Sequence, residues 1–235
     1  MDREKSGYYI SQKPKLLNDF DKLIKRVRGV LVDRYGEEFT NLLVIETRQE
    51  YESLITELPY LGGQQPFTQF LIGSAWYLAF YRALKVHGKT VEETGEIIYQ
   101  ITKAYLDSMP WLLRRFLGRI NFSQRSLRKI EKRAKESQER QYPGNFVFNY
   151  VKGDNKDFDF GVDYIECAVC KFLDKQDASE LAPFICPVDI LYSDTLGWGL
   201  IQTKTLAEGN DKCDFRFKKG GKTNVKVPEN VRKIL

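Results

Sequence analysis

The spacing of apolar residues predicts helices over most of the first 140 residues. In the segment 16–31 apolar side chains recur three or four positions apart, which is the pattern of an amphipathic helix. A second helix is predicted over 37–58. The segment 67–86 is apolar on all sides, which is typical of the central helix of a bundle. A Thr-x-x-Glu capping box then predicts a further helix over 91–108.

The period of the pattern changes to two after the helical part. Apolar residues alternate over 146–150 and 158–164, which predicts a β-hairpin, and two further strands are predicted over 199–205 and 212–217. Short helices interrupted by prolines are expected between them, over 166–194. This order predicts an antiparallel sheet with helices on one face. The fold class is therefore predicted to be α+β, with an N-terminal helical bundle packed with a C-terminal antiparallel sheet carrying short helices.

The length of 235 residues is sufficient for a substantial core. We expect a helical region over 1–144 and a cysteine-bearing α+β region over 145–218, integrated into one domain, followed by a loose basic tail over 219–235. The N-terminus has no apolar signal-peptide segment, and no apolar run is suited to span a bilayer. With four cysteines and no signal peptide, the prediction is a cytoplasmic protein with free thiols.

Positive charge is concentrated in one segment. The net charge is +5, yet the segment 111–140 contains ten Lys or Arg and three Glu, a net +7, so the remaining residues together carry −2. Leu127, Ile130 and Ala134 recur there at helical spacing, which predicts a helix with a buried stripe and a basic, solvated outer face. Contact with nucleic acid or a membrane surface is the less favoured interpretation. Nucleic acid is not expected as a partner, and a homo-oligomer is left open.

The four cysteines are the main candidates for chemistry: Cys167, Cys170, Cys186 and Cys213. The first two form a C-x-x-C at the start of a predicted helix, as in thioredoxin-like motifs, although the antiparallel surroundings lack a βαβ unit. A zinc site built from all four is the other specific interpretation, but the last two are 27 residues apart. Inert packing is an alternative for each thiol and is favoured for Cys170. No cofactor is predicted, and zinc is kept as the alternative.

Acid–base chemistry is expected from carboxylates or a thiol. The single histidine, His87, lies at a predicted helix end, where capping explains it. The candidate carboxylates near the cysteines are Glu166, Asp189, Asp194 and Asp214. Asp189 follows Cys186 by three residues, so on a helical turn both side chains face the same way. On the last strand, alternation places Asp214 on the face opposite to the neighbouring cysteine.

Four short motifs occur in order along the C-terminal half: E-C at 166–167, C-P-V-D at 186–189, T-K-T-L-A-E-G at 203–209 and C-D-F-R-F at 213–217. Their order resembles the L-2-amino-thiazoline-4-carboxylic acid hydrolase family. The upstream Y-R-A-L at 81–84 resembles the helical half of that family, so the resemblance covers about 65–218. The C-terminal part also loosely resembles the vinyl-reductase type of small-molecule-binding domain, at the level of fold.

The resemblance implies a hydrolase of non-peptide C–N bonds. The substrate would be a small carboxylate with a cyclic amidine- or thiazoline-like bond, opened to an N-carbamoyl amino acid. The implied catalytic residues are Cys186 or Cys167 as the nucleophile and Asp189 or Glu166 as the proton carrier. The implied substrate-binding residues lie on the last strand: Arg216, as a clamp for the substrate carboxylate, Cys213 and Asp214. The alternative is a non-catalytic module that binds or senses a small molecule or a metal through the same cysteines.

Overall fold

The computed structural model describes residues 7–63, 67–154 and 156–233. Seven helices precede the sheet in the described ranges. They are α1 (Tyr8–Ser11), α2 (Lys13–Tyr35), α3 (Glu37–Leu54), α4 (Thr68–Val86), α5 (Val91–Asp107), α6 (Trp111–Ile120) and α7 (Gln124–Ser137). The predicted helices are confirmed with their ends shifted by a few residues, and the basic segment divides into two helices at residues 121–123.

Helix α4 is the centre of the helical part. Its buried residues lie on all sides of the helix, as its uniformly apolar sequence predicts. Phe20 of α2, Tyr51 of α3 and Trp76 of α4 meet in one aromatic cluster, with ring centroids 5.5 to 6.3 Å apart. Helix α5 begins at the predicted capping box, in which Thr90 and Glu93 each bind the backbone N–H of the other.

The second half forms a five-stranded sheet with short helices between its strands. The strands are β1 (Val147–Lys152), β2 (Phe160–Glu166), β3 (Leu200–Gln202), β4 (Cys213–Phe217) and β5 (Asn224–Val225). Between β2 and β3 lie α8 (Ala168–Lys175), α9 (Ala182–Ile185) and α10 (Val188–Leu196); α11 (Glu229–Arg232) follows β5. The order across the sheet is β1-β2-β4-β3-β5, antiparallel except for β3 with β5. The predicted α+β class and the β1–β2 pairing are confirmed.

Helices and sheet bury one continuous core. It runs from Tyr9 in α1 through the helices to Phe148 and Val162 in the sheet and to Val188 in α10. At the sheet edge, the Ser137 hydroxyl and the Gln138 amide at the end of α7 bind the backbone of Phe148. This contact covers part of the outer backbone of β1. No helix in the described ranges is long and apolar enough to cross a membrane.

The C-terminal segment differs from the loose tail that we expected. Strand β5 pairs with β3 through Asn224 and Val225, and Val231 in α11 is fully buried. Val227 and Val231 pack against Phe184 in a small apolar cluster. The lysines and glycines of this segment indicated a loose tail, but its spaced valines bury enough apolar surface to hold it against the sheet.

Candidate active site

Cys167 lies at the junction between β2 and α8. It occupies the N-cap position of α8 with extended backbone angles, φ −108° and ψ 120°. The Cys170 thiol donates a hydrogen bond to the Cys167 sulfur, and this is the main cause of a lowered Cys167 pKa. Burial opposes the shift. The N–H groups of Val169 and Cys170 support it by facing the sulfur at the helix N-terminus, although no capping hydrogen bond of standard geometry forms. Among the four thiols, Cys167 is therefore the one that most readily forms a thiolate.

Cys170 has a more specific environment than the packing role that we expected. Because it donates to Cys167 and is buried, its own pKa is raised strongly. A low-pKa thiol at a helix N-terminus with a protonated partner one turn later is the arrangement of reactive C-x-x-C pairs. Cys170 thus supports the negative charge of its neighbour.

Asp189 lies in the first turn of α10, one turn after Cys186. Burial raises the Asp189 pKa from 3.8 to about 7, although the residue keeps some accessible surface. Its carboxylate has no hydrogen-bond or ion-pair partner among the described residues. A carboxyl group that titrates near neutrality can both accept and release a proton, which is what a general acid–base residue requires.

Several groups from distant parts of the chain converge on Asp189. Its charge raises the pKa of three tyrosines and acts in the same direction on three thiols, namely Tyr77, Tyr164, Tyr192, Cys167, Cys186 and Cys213. Burial is the largest cause of the raised pKa in each of the tyrosines. These residues come from α4, β2, α10, the start of α8, the end of α9 and β4. The fold therefore gathers them around one carboxylate.

Tyr164, Cys167 and Asp189 lie close enough for the Asp189 charge to act on both of the others, and each keeps some accessible surface. The hydroxyls of Tyr164 and Tyr192 have no hydrogen-bond partner among the described residues, so they are available to a small molecule.

Cys186 lies one turn before Asp189, and its pKa is shifted in the opposite direction from that of Cys167. Burial raises its pKa well above the usual value for a thiol. It also borders a water-sized cavity of about 10 Å³ that is lined by Gln202 and the segment 225–228. Cys213 is buried on β4, where its sulfur accepts a hydrogen bond from the Leu206 N–H at 3.1 Å and burial raises its pKa to about 12. Both thiols are therefore held in the protonated form.

Glu166 is next to Cys167 in the sequence, and its side chain forms two ion pairs. Its carboxylate contacts the guanidinium of Arg140 and the ammonium of Lys171. The Lys171 ammonium also donates to the carbonyls of Pro143 and Asn145, at 2.8 and 3.0 Å. This network ties the loop after α7 to the start of α8. Glu166 thus contributes to the position of the segment that carries Cys167.

Arg216 and Asp214 lie on the face of the sheet opposite to the cysteines. The Arg216 guanidinium donates to Asp163 at 2.7 Å, and its side chain crosses Gly161, where a Cβ atom would lie 2.7 Å from Arg216 Cδ. The Asp214 carboxylate accepts hydrogen bonds from the Thr203 N–H at 2.8 Å and the Lys204 N–H at 2.7 Å. Strand alternation therefore points Arg216 and Asp214 away from the cysteines.

The alternative metal interpretation has no geometric support. Within the described ranges, which include all four cysteines, no set of three or more His, Cys, Asp or Glu side chains is arranged to hold a metal ion. The residues that sequence reasoning missed are the three tyrosines. Tyr164 could have been found, because alternation along β2 places it on the same face as Val162, towards the core. Tyr77 and Tyr192 resembled ordinary core residues of apolar helices.

Comparison with known proteins agrees with the motif order. A family model for L-2-amino-thiazoline-4-carboxylic acid hydrolase matches residues 69–217. A search of curated proteins found no match, and a search of solved structures also found none. The matched region begins in α4 and ends with β4, so it contains every group that converges on Asp189. The chain belongs to the L-2-amino-thiazoline-4-carboxylic acid hydrolase family.

Proposed function

We propose that this protein opens the ring of a small thiazoline-type carboxylate by hydrolysis at its amidine-like carbon. Cys167 is the proposed nucleophile and Asp189 the proposed proton carrier. Family membership supports a hydrolase of this kind. The observation that carries the residue assignment is that a thiol with a lowered pKa lies near a buried carboxyl with a pKa of about 7. The active form would hold Cys167 as thiolate and Asp189 protonated.

The proposed first half-reaction opens the ring. The Cys167 thiolate attacks the ring carbon that carries the amino group and forms a new carbon–sulfur bond. The bond from that carbon to the ring sulfur then breaks, and the proton of Asp189 goes to the departing sulfur. The product is an isothiourea that is covalently attached to Cys167, with a free thiol on the substrate and an ionised Asp189.

The second half-reaction uses water. The Asp189 carboxylate takes a proton from a water molecule, which attacks the same carbon, and Cys167 leaves as a thiolate. A proton moves from the new hydroxyl to nitrogen, which gives an N-carbamoyl amino acid and restores both residues to their starting states. One water molecule is consumed in each cycle, and neither an oxidant nor a reductant is needed.

The product determines which ring bond breaks. An N-carbamoyl product keeps both nitrogens on the attacked carbon, so its formation requires cleavage of the carbon–sulfur bond. Cleavage of the carbon–nitrogen bond, which we expected from the resemblance, would instead give an S-carbamoyl product with a free amine. A thiol reagent and an amine reagent therefore distinguish the two outcomes.

The tyrosines are proposed to take the place of Arg216 in binding the substrate. Burial raises the pKa of Tyr164 and Tyr192, so both hydroxyls stay protonated and can donate hydrogen bonds to a carboxylate. Neither hydroxyl has a partner among the described residues. Tyr77 is different, because its hydroxyl pairs with Thr102 at 2.9 Å.

The test is turnover of 2-aminothiazoline-4-carboxylate by the wild type and by two matched variants. We expect thiol release by the wild type, a loss of roughly 10³-fold or more in kcat for Cys167→Ala, and a change within about tenfold for Cys186→Ala. Mass spectrometry after rapid quenching should detect the isothiourea on Cys167.

Two results would reject the proposal. Full activity of Cys167→Ala together with an inactive Cys186→Ala would show that the nucleophile is assigned to the wrong thiol. Tight binding of the substrate without release of either a thiol or an amine would favour the non-catalytic binding module instead.

A further inference from the structure

An apolar stripe on α6 faces away from the rest of the protein. Leu112, Phe116 and Ile120 are four residues apart, so with a turn of about 100° per residue they form one ridge along the helix. Their exposed fractions are 64%, 60% and 42%. Gly118 lies on the opposite side of the helix, where a Cβ atom would be 2.1 Å from the carbonyl oxygen of Leu196. The packed face of α6 thus uses its smallest residue, and the large apolar residues point outwards.

The exposed apolar surface of α6 extends beyond the ridge. Trp111 and Leu113 are also exposed, by 60% and 43%, and they continue the surface from the start of the helix. Together with the ridge they present on the order of 500 Å² of apolar surface, which is a size that marks an interaction site on a soluble protein. Most other helices of the bundle bury their apolar residues, so this surface is a specific feature of α6.

Cations without ion-pair partners lie on α6 and on the helix that follows it. Arg115 and Arg119 lie on α6, and Arg125, Arg128 and Lys129 lie on α7, which begins only four residues after α6 ends. None of these five side chains has an ion-pair partner among the described residues. The last three, with Gln124 and Lys132, line a shallow open depression on the protein surface. The exposed apolar stripe of α6 is therefore followed directly in the chain by a helix that carries a group of unpaired cations.

We propose that α6 and α7 bind the surface of an anionic lipid bilayer, with α6 lying in the interface and its ridge inserted below the lipid headgroups. An interfacial helix combines exposed Trp, Phe and Leu with Lys and Arg. Helix α6 has this composition, with Arg115 and Arg119 beside the apolar ridge and the opposite face packed on the protein through Gly118. The α7 cations would attract anionic headgroups over a distance of about a Debye length. The helix is ten residues long, so it lies on the bilayer and does not span it.

The cations and the apolar ridge together favour a bilayer over nucleic acid or a second copy of the chain as the binding partner. Nucleic acid would use the cations but would leave the ridge of Leu112, Phe116 and Ile120 exposed to water. A second copy packed through this surface by two-fold symmetry would bring the two groups of cations together and repel. A bilayer satisfies both features, because its headgroups are anionic and its acyl region is apolar.

The experiment is co-sedimentation of the full-length protein with phosphatidylcholine vesicles, with and without ~30% phosphatidylserine. Leu112→Gln/Phe116→Gln tests the ridge, and its matched control is Ile45→Gln/Val86→Gln, which changes two exposed apolar residues elsewhere. We expect the ridge variant to lower partitioning into anionic vesicles by about tenfold or more, and the control to stay within about twofold.

A second pair of variants tests the cations. Arg125→Gln/Lys129→Gln should also weaken binding by about tenfold and reduce its salt dependence. Its control, Lys22→Gln/Lys25→Gln, removes two exposed lysines of α2 and should have little effect. In the wild type, brominated lipid should quench the fluorescence of Trp111, which is the exposed tryptophan of this surface.

Three results would overturn the proposal. The first is the absence of binding to anionic vesicles at low salt. The second is a dimer in solution that the ridge variant converts to a monomer, without lipid binding, which would make the surface a contact between copies. The third is binding to duplex or single-stranded nucleic acid that depends on the cations but not on the ridge.

Discussion

The strongest prediction concerns the replacement of Asp189 by asparagine. Burial raises the Asp189 pKa from 3.8 to about 7, so the native state keeps this proton between about pH 4 and about pH 7 while the unfolded chain has released it. The native state then binds more protons than the unfolded state, and stability falls as the pH rises through this window. An asparagine side chain cannot ionise, so the variant escapes this loss.

The magnitude follows from the size of the pKa shift. A shift of one pKa unit corresponds to about 1.4 kcal/mol, which gives an upper limit of about 4 kcal/mol at pH values above the native pKa. The carboxyl keeps some accessible surface, so solvent screening reduces this figure, and we expect about 2 kcal/mol. Asp189→Asn should thus match the wild type near pH 4 and exceed its free energy of unfolding by about 2 kcal/mol near pH 8.

Urea unfolding followed by far-ultraviolet circular dichroism across this pH range measures the difference. Asp33→Asn is the matched control, because Asp33 is an exposed carboxylate of α2 without an ion pair among the described residues. A gain in stability that does not change with pH, or a variant that becomes less stable than the wild type as the pH rises, would refute the reasoning. The same variant should lose turnover, so stability and activity would move in opposite directions.

The remaining predictions concern the thiol pair and two packing contacts. Cys170→Ala should raise the pKa of Cys167, so the pH midpoint of iodoacetamide labelling of Cys167, read by peptide mass spectrometry, should move upwards; an unchanged midpoint would contradict the hydrogen bond. Gly118→Ala should lower the free energy of unfolding by about 1–3 kcal/mol, because its Cβ would overlap the Leu196 carbonyl; unchanged stability in urea would contradict this contact. Arg216→Gln should reduce stability by about 1–2 kcal/mol without changing KM. A large increase in KM would instead indicate that Arg216 binds the substrate.

Some of the site was accessible from the sequence. The motif order pointed to the correct family, and the three-residue spacing of Cys186 and Asp189 placed them one turn apart. Alternation along the last strand also put Arg216 on the face away from Cys213. The structure confirms this alternation, and Arg216 pairs there with Asp163.

Other features depended on residues far apart in the chain. Cys167 differs from Cys186 because of what surrounds each sulfur: Cys167 receives a hydrogen bond and faces a helix N-terminus, whereas Cys186 is only buried. A pKa reflects burial and neighbouring charges, neither of which appears in a list of residues. Likewise, the solvated basic face expected for the segment 111–140 did not reveal the outward ridge of α6, since a helical period cannot tell which side meets the core.

The amino-acid sequence by itself determined the elements of this protein, because helical and strand periods, the capping box and the breaks between elements arise from contacts between residues close in the chain. It also placed the chain in its family through the order of short motifs. Only the tertiary structure decided which thiol is acidic, which carboxyl is buried, that three tyrosines surround it and that the C-terminal valines hold the last segment to the sheet. These properties arise from burial and from charges brought together by folding, and they do not exist until the distant segments pack.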